Sequence, residues 1–337
     1  MSPRPLTALS SGRPTIARAM RTSSRQLPVF TRLEREKIEE LRARDEFLWV
    51  DLCAPSREEL DQLGDLFGFH TLALEDTRRF GQRPKLDDYG DHVLLVFFGA
   101  RLDRRSEPEP IEVHVFVSGG SIVTVHRDPS AALDELRRRF RRDGPTGEQW
   151  IVYRILEALT DSFFPVLDAL DDELDGLEEA IIAAPTDEQL ARIFRLKRAL
   201  GRLRRVVAPA RDLFQSPEQI TGLPGLAASA HDYLRDVYDH LLRISELIDA
   251  QRDVLSTAMD VYLSTSSNQL NVIMKRLTLI STVFLPLTFV TGFFGQNFGW
   301  LVDRISGPVA FLVLGIGGLA VPLAVLMIVF RRAGYLR

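Results

Sequence analysis

The stretch NVIMKRLTLISTVFLPLTFVTGFFGQNF, residues 271–298, governs how the rest of the chain is read. From Leu277 to Phe294 it carries no charge, and a second uncharged run extends from Pro308 to Phe330. A helix crossing a hydrocarbon core of about 30 Å needs roughly 20 residues. Both runs have that length, the first if Lys275 and Arg276 snorkel to the interface. The alternative is a buried hairpin in a soluble domain, but two adjacent runs near spanning length favour the bilayer.

Lys275 and Arg276 precede the first run and Arg331, Arg332 and Arg337 follow the second, whereas the connecting loop has only Arg304, offset by Asp303. The positive-inside rule therefore predicts a multi-pass cell-membrane protein with both termini in the cytoplasm. The expected segments are a first transmembrane helix over 272–294, an external loop over 295–307, a second helix over 308–330 and a basic tail over 331–337.

Upstream of the first run there is no Pro or Gly from about residue 228 to Pro286. Val237, Leu241, Ile244, Ile248 and Leu255 recur in steps of mostly four and three, a seam that favours left-handed helix association and argues for self-association. A single helix through the first run would be about 100 Å long at about 1.5 Å per residue. The same spacing continues through Asp260, Ser264, Ser267, Asn271, Met274, Thr278, Ser281, Leu285, Thr288 and Gly292 to Gly295-Gln296-Asn297. A polar or small stripe at membrane depth should face other helices or water. Ordinary helix packing also uses Ser, Thr and Gly. Two spans per chain cannot wall a conduit, so a permeation path requires several copies around an axis, most naturally with cyclic symmetry.

Ahead of the membrane segments, FLWVDLCAPSREELDQL reads as a strand running into a helix, with Ser56 and Glu59 in capping-box spacing. HVLLVFFGARL, IEVHVFV and SIVTVHR, the last two joined around Gly119 and Gly120, predict an antiparallel sheet with a tight hairpin. Residues 31–145 are expected to form an α/β domain and 146–271 a helical stalk. Residues 1–30, rich in Arg, Ser and Pro and free of acids, predict a disordered basic tail, and their composition also resembles a transit peptide. DALDDELDGLEEA, residues 168–180, is either a solvated helix face or a surface that concentrates cations.

With a net charge of −4 the chain gives no support to nucleic-acid binding. No phosphate-binding loop, HExxH or nucleophile elbow occurs, so neither a nucleotide nor an enzymatic activity is expected. His114 and His126 could approach across the hairpin, although no third ligand is in view. The single cysteine, Cys53, excludes an internal disulfide and is expected to be a buried small hydrophobe.

Over residues 271–298, and over LEDTRRFGQRPKLDDYGDHVLLVF at 74–97, the chain resembles the CorA family of divalent-cation transporters, which includes the zinc-transporting ZntB branch. The resemblance runs from about residue 45 onward. It implies an α+β cytoplasmic domain with an antiparallel sheet and flanking helices, a long stalk helix and two C-terminal transmembrane helices, assembled as a funnel-shaped homopentamer in the bilayer. The resemblance assigns Asn297 to an outer ring that receives the hydrated ion, Asn271 to a polar ring in the pore and Asp260 to a carboxylate ring near the cytoplasmic mouth. Met274 and Leu277 would form the apolar constriction. Asp76 and Asp236, with Glu75, Asp161 and His240, match positions that bind regulatory cation between neighbouring subunits. The implied function is inward passage of hydrated divalent cations, above all Mg2+, with cobalt or nickel as further candidates. The potential driving it is worth about 2.3 kcal/mol per charge per 100 mV. Mg2+ would be both cargo and regulator, with no prosthetic group. Gln296 stands where the family carries Met, or Val or Ile in some branches, which leaves open a zinc transporter of the ZntB type. A membrane-anchored cation sensor without flux is a further reading.

Overall fold

The runs rich in Val, Leu, Ile and Phe between Leu48 and His126 fold into the centre of a six-stranded sheet. Its strands are β1 (Val29–Phe30), β2 (Leu48–Cys53), β3 (Lys85–Asp88), β4 (His92–Leu102), β5 (Pro108–Ser118) and β6 (Ser121–His126). The helices are α1 (Arg35–Ala43), α2 (Arg57–Phe67), α3 (Thr71–Arg79), α4 (Ala131–Asp143), α5 (Glu148–Asp161), α6 (Phe163–Ala183), α7 (Asp187–Phe214), α8 (His231–Phe294) and α9 (Gly299–Arg304). A final apolar helix, α10 (Pro308–Arg332), contains a π-helical segment at Phe311–Ile316. This computed structural model describes residues 27–143, 148–216, 220, 223, 230–296, 299–304 and 307–332. The chain divides into two units, Met1–Met259 and Asp260–Arg337.

In the first unit the strand order is β1-β2-β6-β5-β4-β3. Strands β3 to β6 are antiparallel, and Ser118 pairs with Ser121 across the two-residue turn at Gly119-Gly120. The antiparallel expectation holds for β4, β5 and β6, and β3 joins them without having been expected, whereas β2 lies parallel to β6 and β1 parallel to β2. Parallel pairing needs a crossover, and α1 supplies one between β1 and β2. The expected tail boundary at residue 30 shifts, because Leu27 is buried and Val29–Phe30 pair with Trp49–Val50. Residues 1–26 of that tail lie outside the described residues.

Strand β4 is buried continuously from His92 to Ala100, as expected for a strand covered on both faces. Helix α5 lies so close to it that a Cβ on Gly99 would stand 2.9 Å from Ser162 Oγ and 3.1 Å from Leu159 Cδ2. Ser162 Oγ accepts the Ala100 N–H at 2.8 Å, fixing the α5–α6 junction on the strand. On β2, buried Asp51 accepts hydrogen bonds from Thr124 (2.5 Å) and His126 Nε2 (3.2 Å) and is ion-paired with Arg137, which ties α4 to the sheet. Burial pushes the Asp51 carboxyl up, but His126, Thr124 and Arg137 outweigh it and hold the group below the usual carboxylate range.

Helix α6 buries Val166, Leu167, Leu170, Leu174, Leu177 and Ile181 and leaves Asp168, Asp171, Asp172, Asp175 and Glu179 exposed. Glu173 turns toward α7 and takes two hydrogen bonds from Arg192. The acidic run is thus the outer face of an amphipathic helix.

Two expectations need correction. Cys53 is exposed, because β2 ends there and Ala54 turns the chain away at φ 50°. The seam Val237, Leu241, Ile244, Ile248 and Leu255 is buried within one chain, at 0–1% exposure, so it carries no argument for self-association. Helix α8 spends it on its own unit. Gln251 Nε2 donates to Leu167 O of α6 at 2.8 Å, and Asp249 pairs with Arg204 of α7 at 2.9 Å.

The second unit holds the remainder of α8 together with α9 and α10. Helices α8 and α10 each contain an 18-residue window apolar enough to cross a membrane, and neither window is buried. Leu285, Phe289 and Val309 are 74%, 73% and 71% exposed, the reverse of what a soluble core hairpin would show.

Candidate functional site: an unpartnered helix face and two carboxylate groups

Periodicity divides the second part of α8 into two faces. Leu279, Thr282, Val283, Pro286, Leu287 and Val290 are half-covered and recur at helical spacing. On α10, Gly315, Gly318, Leu319, Pro322, Leu326 and Phe330 do the same. The two helices meet there, since a Cβ built on Gly318 would lie 3.5 Å from Val290 Cγ1.

The expected pore residues Asp260, Ser264, Ser267, Asn271, Met274, Leu277, Ser281, Leu285, Thr288 and Gly292 are all exposed. At about 3.6 residues per turn they gather on one side of α8, and those from Met274 onward lie roughly opposite the α10 contact. The Thr278 hydroxyl donates to Met274 O at 2.8 Å, and that of Thr288 donates to Phe284 O. With the proton committed to the backbone, each presents only an oxygen acceptor outward. Such a wall suits a hydrated cation, whose waters direct their O–H groups away from the metal.

Helix α8 ends where Gly295 N donates to Thr291 O at 2.9 Å. A Cβ at Gly295 would stand 3.0 Å from that same oxygen, so the close turn favours glycine. Gln296 is exposed and its N–H reaches Phe293 O at 3.4 Å. Asn297 lies outside the described residues.

The expected regulatory residues fall into two groups. On α3, Glu75 pairs with Arg79 at 2.7 Å, and Asp76 pairs with Lys85 at 2.6 Å and accepts from Gln82 at 3.4 Å. Between α5 and α8, His240 Nδ1 lies 3.1 Å from Asp161, and the Tyr153 hydroxyl lies 2.8 Å from Asp236 and 2.9 Å from Glu157. Burial lifts the Asp161 carboxyl above the usual range; His240 pulls it back, while Glu157 and Asp236 add to the lift. Burial, Asp236 and Glu157 all push the Tyr153 phenol up, so it stays a neutral donor. None of the hydrogen bonds or ion pairs described for Glu75 and Asp76 reaches the second group. Among the described residues no three His, Cys, Asp or Glu side chains are arranged to hold a metal ion. Glu157 was missed in the sequence, where its only signal is a four-residue step to Asp161 on one helix face.

His114 and His126 do not converge. His114 pairs in register with Val125 and His126 with Val113, so the two imidazoles point to opposite sides of the sheet. His114 contacts Thr77 and Glu112, whereas His126 contacts Asp51 and the Asp128 carbonyl.

Residues 44–332 match the family described as CorA-like Mg2+ transporter protein. The cobalt/magnesium transport protein CorA of Thermotoga maritima is 32% identical over 291 residues, covering 84% of this chain and 81% of its own. The putative metal ion transporter YfjQ of Bacillus subtilis is 33% identical over 280 residues, covering 79% of this chain and 86% of its own. The complete CorA magnesium transporter structure from Methanocaldococcus jannaschii shares the fold, with a TM-score of 0.76 at 24% identity over 86% of this chain and 92% of that one. A match of this extent, on a chain with two unburied apolar helices at its C-terminal end, means that the protein belongs to the CorA family of divalent-cation transporters.

Proposed function

We propose that this chain forms a homopentameric cell-membrane channel for hydrated divalent cations, with five α8 helices lining the pore and five α10 helices around them. The observation that carries the reading is the exposed face of α8 from Met274 to Gly292, turned away from α10 and presenting hydroxyl oxygens as acceptors. Self-assembly would cover that face and leave the outer apolar surface to lipid. The Mg2+ preference rests on the family and on the T. maritima relative's name. Mg2+ gives up its water reluctantly and is usually bound through retained waters. A ring of Asn297 amides would accept hydrogen bonds from that shell without stripping it. Both termini are cytoplasmic in this reading, and the membrane potential drives entry. Asp260 would concentrate cations at the inner mouth, Asn271 would form the inner polar ring, and Met274 and Leu277 the constriction.

For gating, Asp76 with Glu75 on one copy would share a cation with Asp236, Asp161 and His240 on the next, displacing Lys85 from Asp76. Each chain brings only half of such a site, in keeping with the two separate groups above. Because the Asp161 carboxyl is raised, protons compete with the cation, so inhibition by internal Mg2+ should weaken as the internal pH falls.

Uptake of Mg2+ into proteoliposomes tests the pore. Asn297→Ala is expected to lower the initial rate by about tenfold or more, the equivalent of about 1.4 kcal/mol at the entrance. Uptake equal to the parent's removes Asn297 from the pathway, and cation binding without any flux favours a sensor. Running Mg2+, Zn2+, Ni2+ and Co2+ on the parent and on Gln296→Met tests the second amide. A Zn2+ preference that Gln296→Met abolishes would select the ZntB-type reading.

A further inference from the structure

The β2–β6 pair has a feature that cation transport does not use. Both strands run parallel and end in register, Cys53 opposite His126, so the chain leaves the sheet side by side at Ala54 and Arg127. In open α/β sheets, ligands bind in the crevice beyond the carboxyl ends of parallel strands. Here that crevice is a cavity of about 200 Å3 whose lining includes Ala54, Arg57, Leu60, Arg78, Phe80 and Arg127.

Three arginines thus line one concavity. Arg78 is paired with Asp61. Among the described residues, neither Arg57 nor Arg127 has a carboxylate partner. Arg127 is held in place instead. Its guanidinium lies 4.7 Å over the Phe80 ring, and its Nη2 donates to Arg79 O at 3.2 Å, which leaves further N–H groups free. Two of the four described non-glycine residues with positive φ, Ala54 at 50° and Phe80 at 53°, line this cavity. Strained backbone of this kind persists where the surroundings hold it, and it clusters at ligand sites. Planar guanidinium forks match the oxygens of a phosphoryl group.

We infer that this cavity binds one phosphoryl group, either as free inorganic phosphate or as the phosphate of a small metabolite, held by Arg57, Arg78 and Arg127. The volume argues for the phosphoryl group alone, since sites that enclose a whole drug-sized ligand run about 300–1,000 Å3. A bound phosphate held by Arg78 would share α3 with Glu75 and Asp76.

The test is calorimetric titration of the purified full-length protein in chelator, so that no divalent cation complexes the probe. Inorganic phosphate and adenosine monophosphate are titrated separately. Saturable binding at one site per chain is expected. Phosphate binding at least as tightly as the monoester identifies the free ion, and tighter monoester binding identifies a phosphorylated metabolite. Arg57→Gln and Arg127→Gln should each weaken binding by about tenfold or more, while Arg141→Gln on the exposed side of α4 leaves it unchanged. Arg57 is exposed and has no carboxylate partner to lose, so its variant reads binding without unfolding the domain. If neither probe saturates, or both variants bind like the parent, the inference is overturned.

Discussion

Helix α8 contains two segments with the same four-and-three spacing and opposite fates. From Val237 to Leu255 the seam is buried at 0–1% exposure within its own chain. From Met274 to Gly292 the continuation of that spacing is exposed, with Met274 at 60% and Leu285 at 74%. Periodicity states that a helix has a face to cover but not what covers it. In the first unit α5, α6 and α7 do so, with the Tyr153–Asp236, Gln251–Leu167 and Arg204–Asp249 contacts fixing the register. In the second unit α10 covers one side, and the stripe on the other side is left for lipid, water or further copies.

If the first unit closes on itself, its buried ion pair should be the most sensitive point. Asp51→Ala is expected to cost about 3–5 kcal/mol by stranding Arg137 and His126, read as a fall in the thermal unfolding midpoint of the purified protein. The same pair gives a pH signature. Burial pulls the His126 imidazole down, but the hydrogen bond and charge of Asp51 outweigh it and raise the group above its usual value. Its contribution is complete below about pH 6.5 and is lost as pH rises through the folded value. The Asp51 contribution is present above about pH 3.9 and is lost as pH falls through its depressed folded value. In His126→Gln the alkaline loss should disappear and the acid loss should remain.

Next in size, Ile248→Ala empties a fully buried seam position and should cost about 2–5 kcal/mol in the same unfolding measurement. A shift under about 0.5 kcal/mol would mean that the inner seam is not closed within the chain. Gln251 sharpens the same point, because its Oε1 is buried with no hydrogen-bond partner among the described residues. Gln251→Met removes that unpaired oxygen and also the bond to Leu167 O, two opposing effects, so it should shift the stability of the first unit by no more than about 1 kcal/mol.

The smallest thermodynamic effect belongs to the outer segment. Leu285→Ser should change unfolding of the first unit by no more than about 0.5 kcal/mol, since the side chain is 74% exposed. Cation flux through proteoliposomes should nonetheless change, and a flux identical to the parent's would take this face out of the conduction path.

The membrane helices were legible because a bilayer sets a length and charge requirement that local sequence alone must meet, and Leu277–Phe294 and Pro308–Phe330 meet it. The capping box at Ser56 and Glu59 and the hairpin at Gly119-Gly120 were legible for the same reason, their partners being two or three residues apart. Less was legible in the sheet. Strand β1 has two residues and β3 reads Lys-Leu-Asp-Asp, so neither shows a periodicity to detect. The parallel β2–β6 pairing joins residues more than seventy positions apart.

Local chemistry thus decides which segments are helices, which can enter oil and which residues carry carboxylates or amides, because each property belongs to neighbours along the chain. Whether the α8 seam turns inward, whether Asp51 meets Arg137, and whether three arginines share one cavity depend on long-range packing. Many pairings satisfy the same hydrophobic pattern, and the folded chain selects among them by burying apolar area while leaving almost no polar group without a partner.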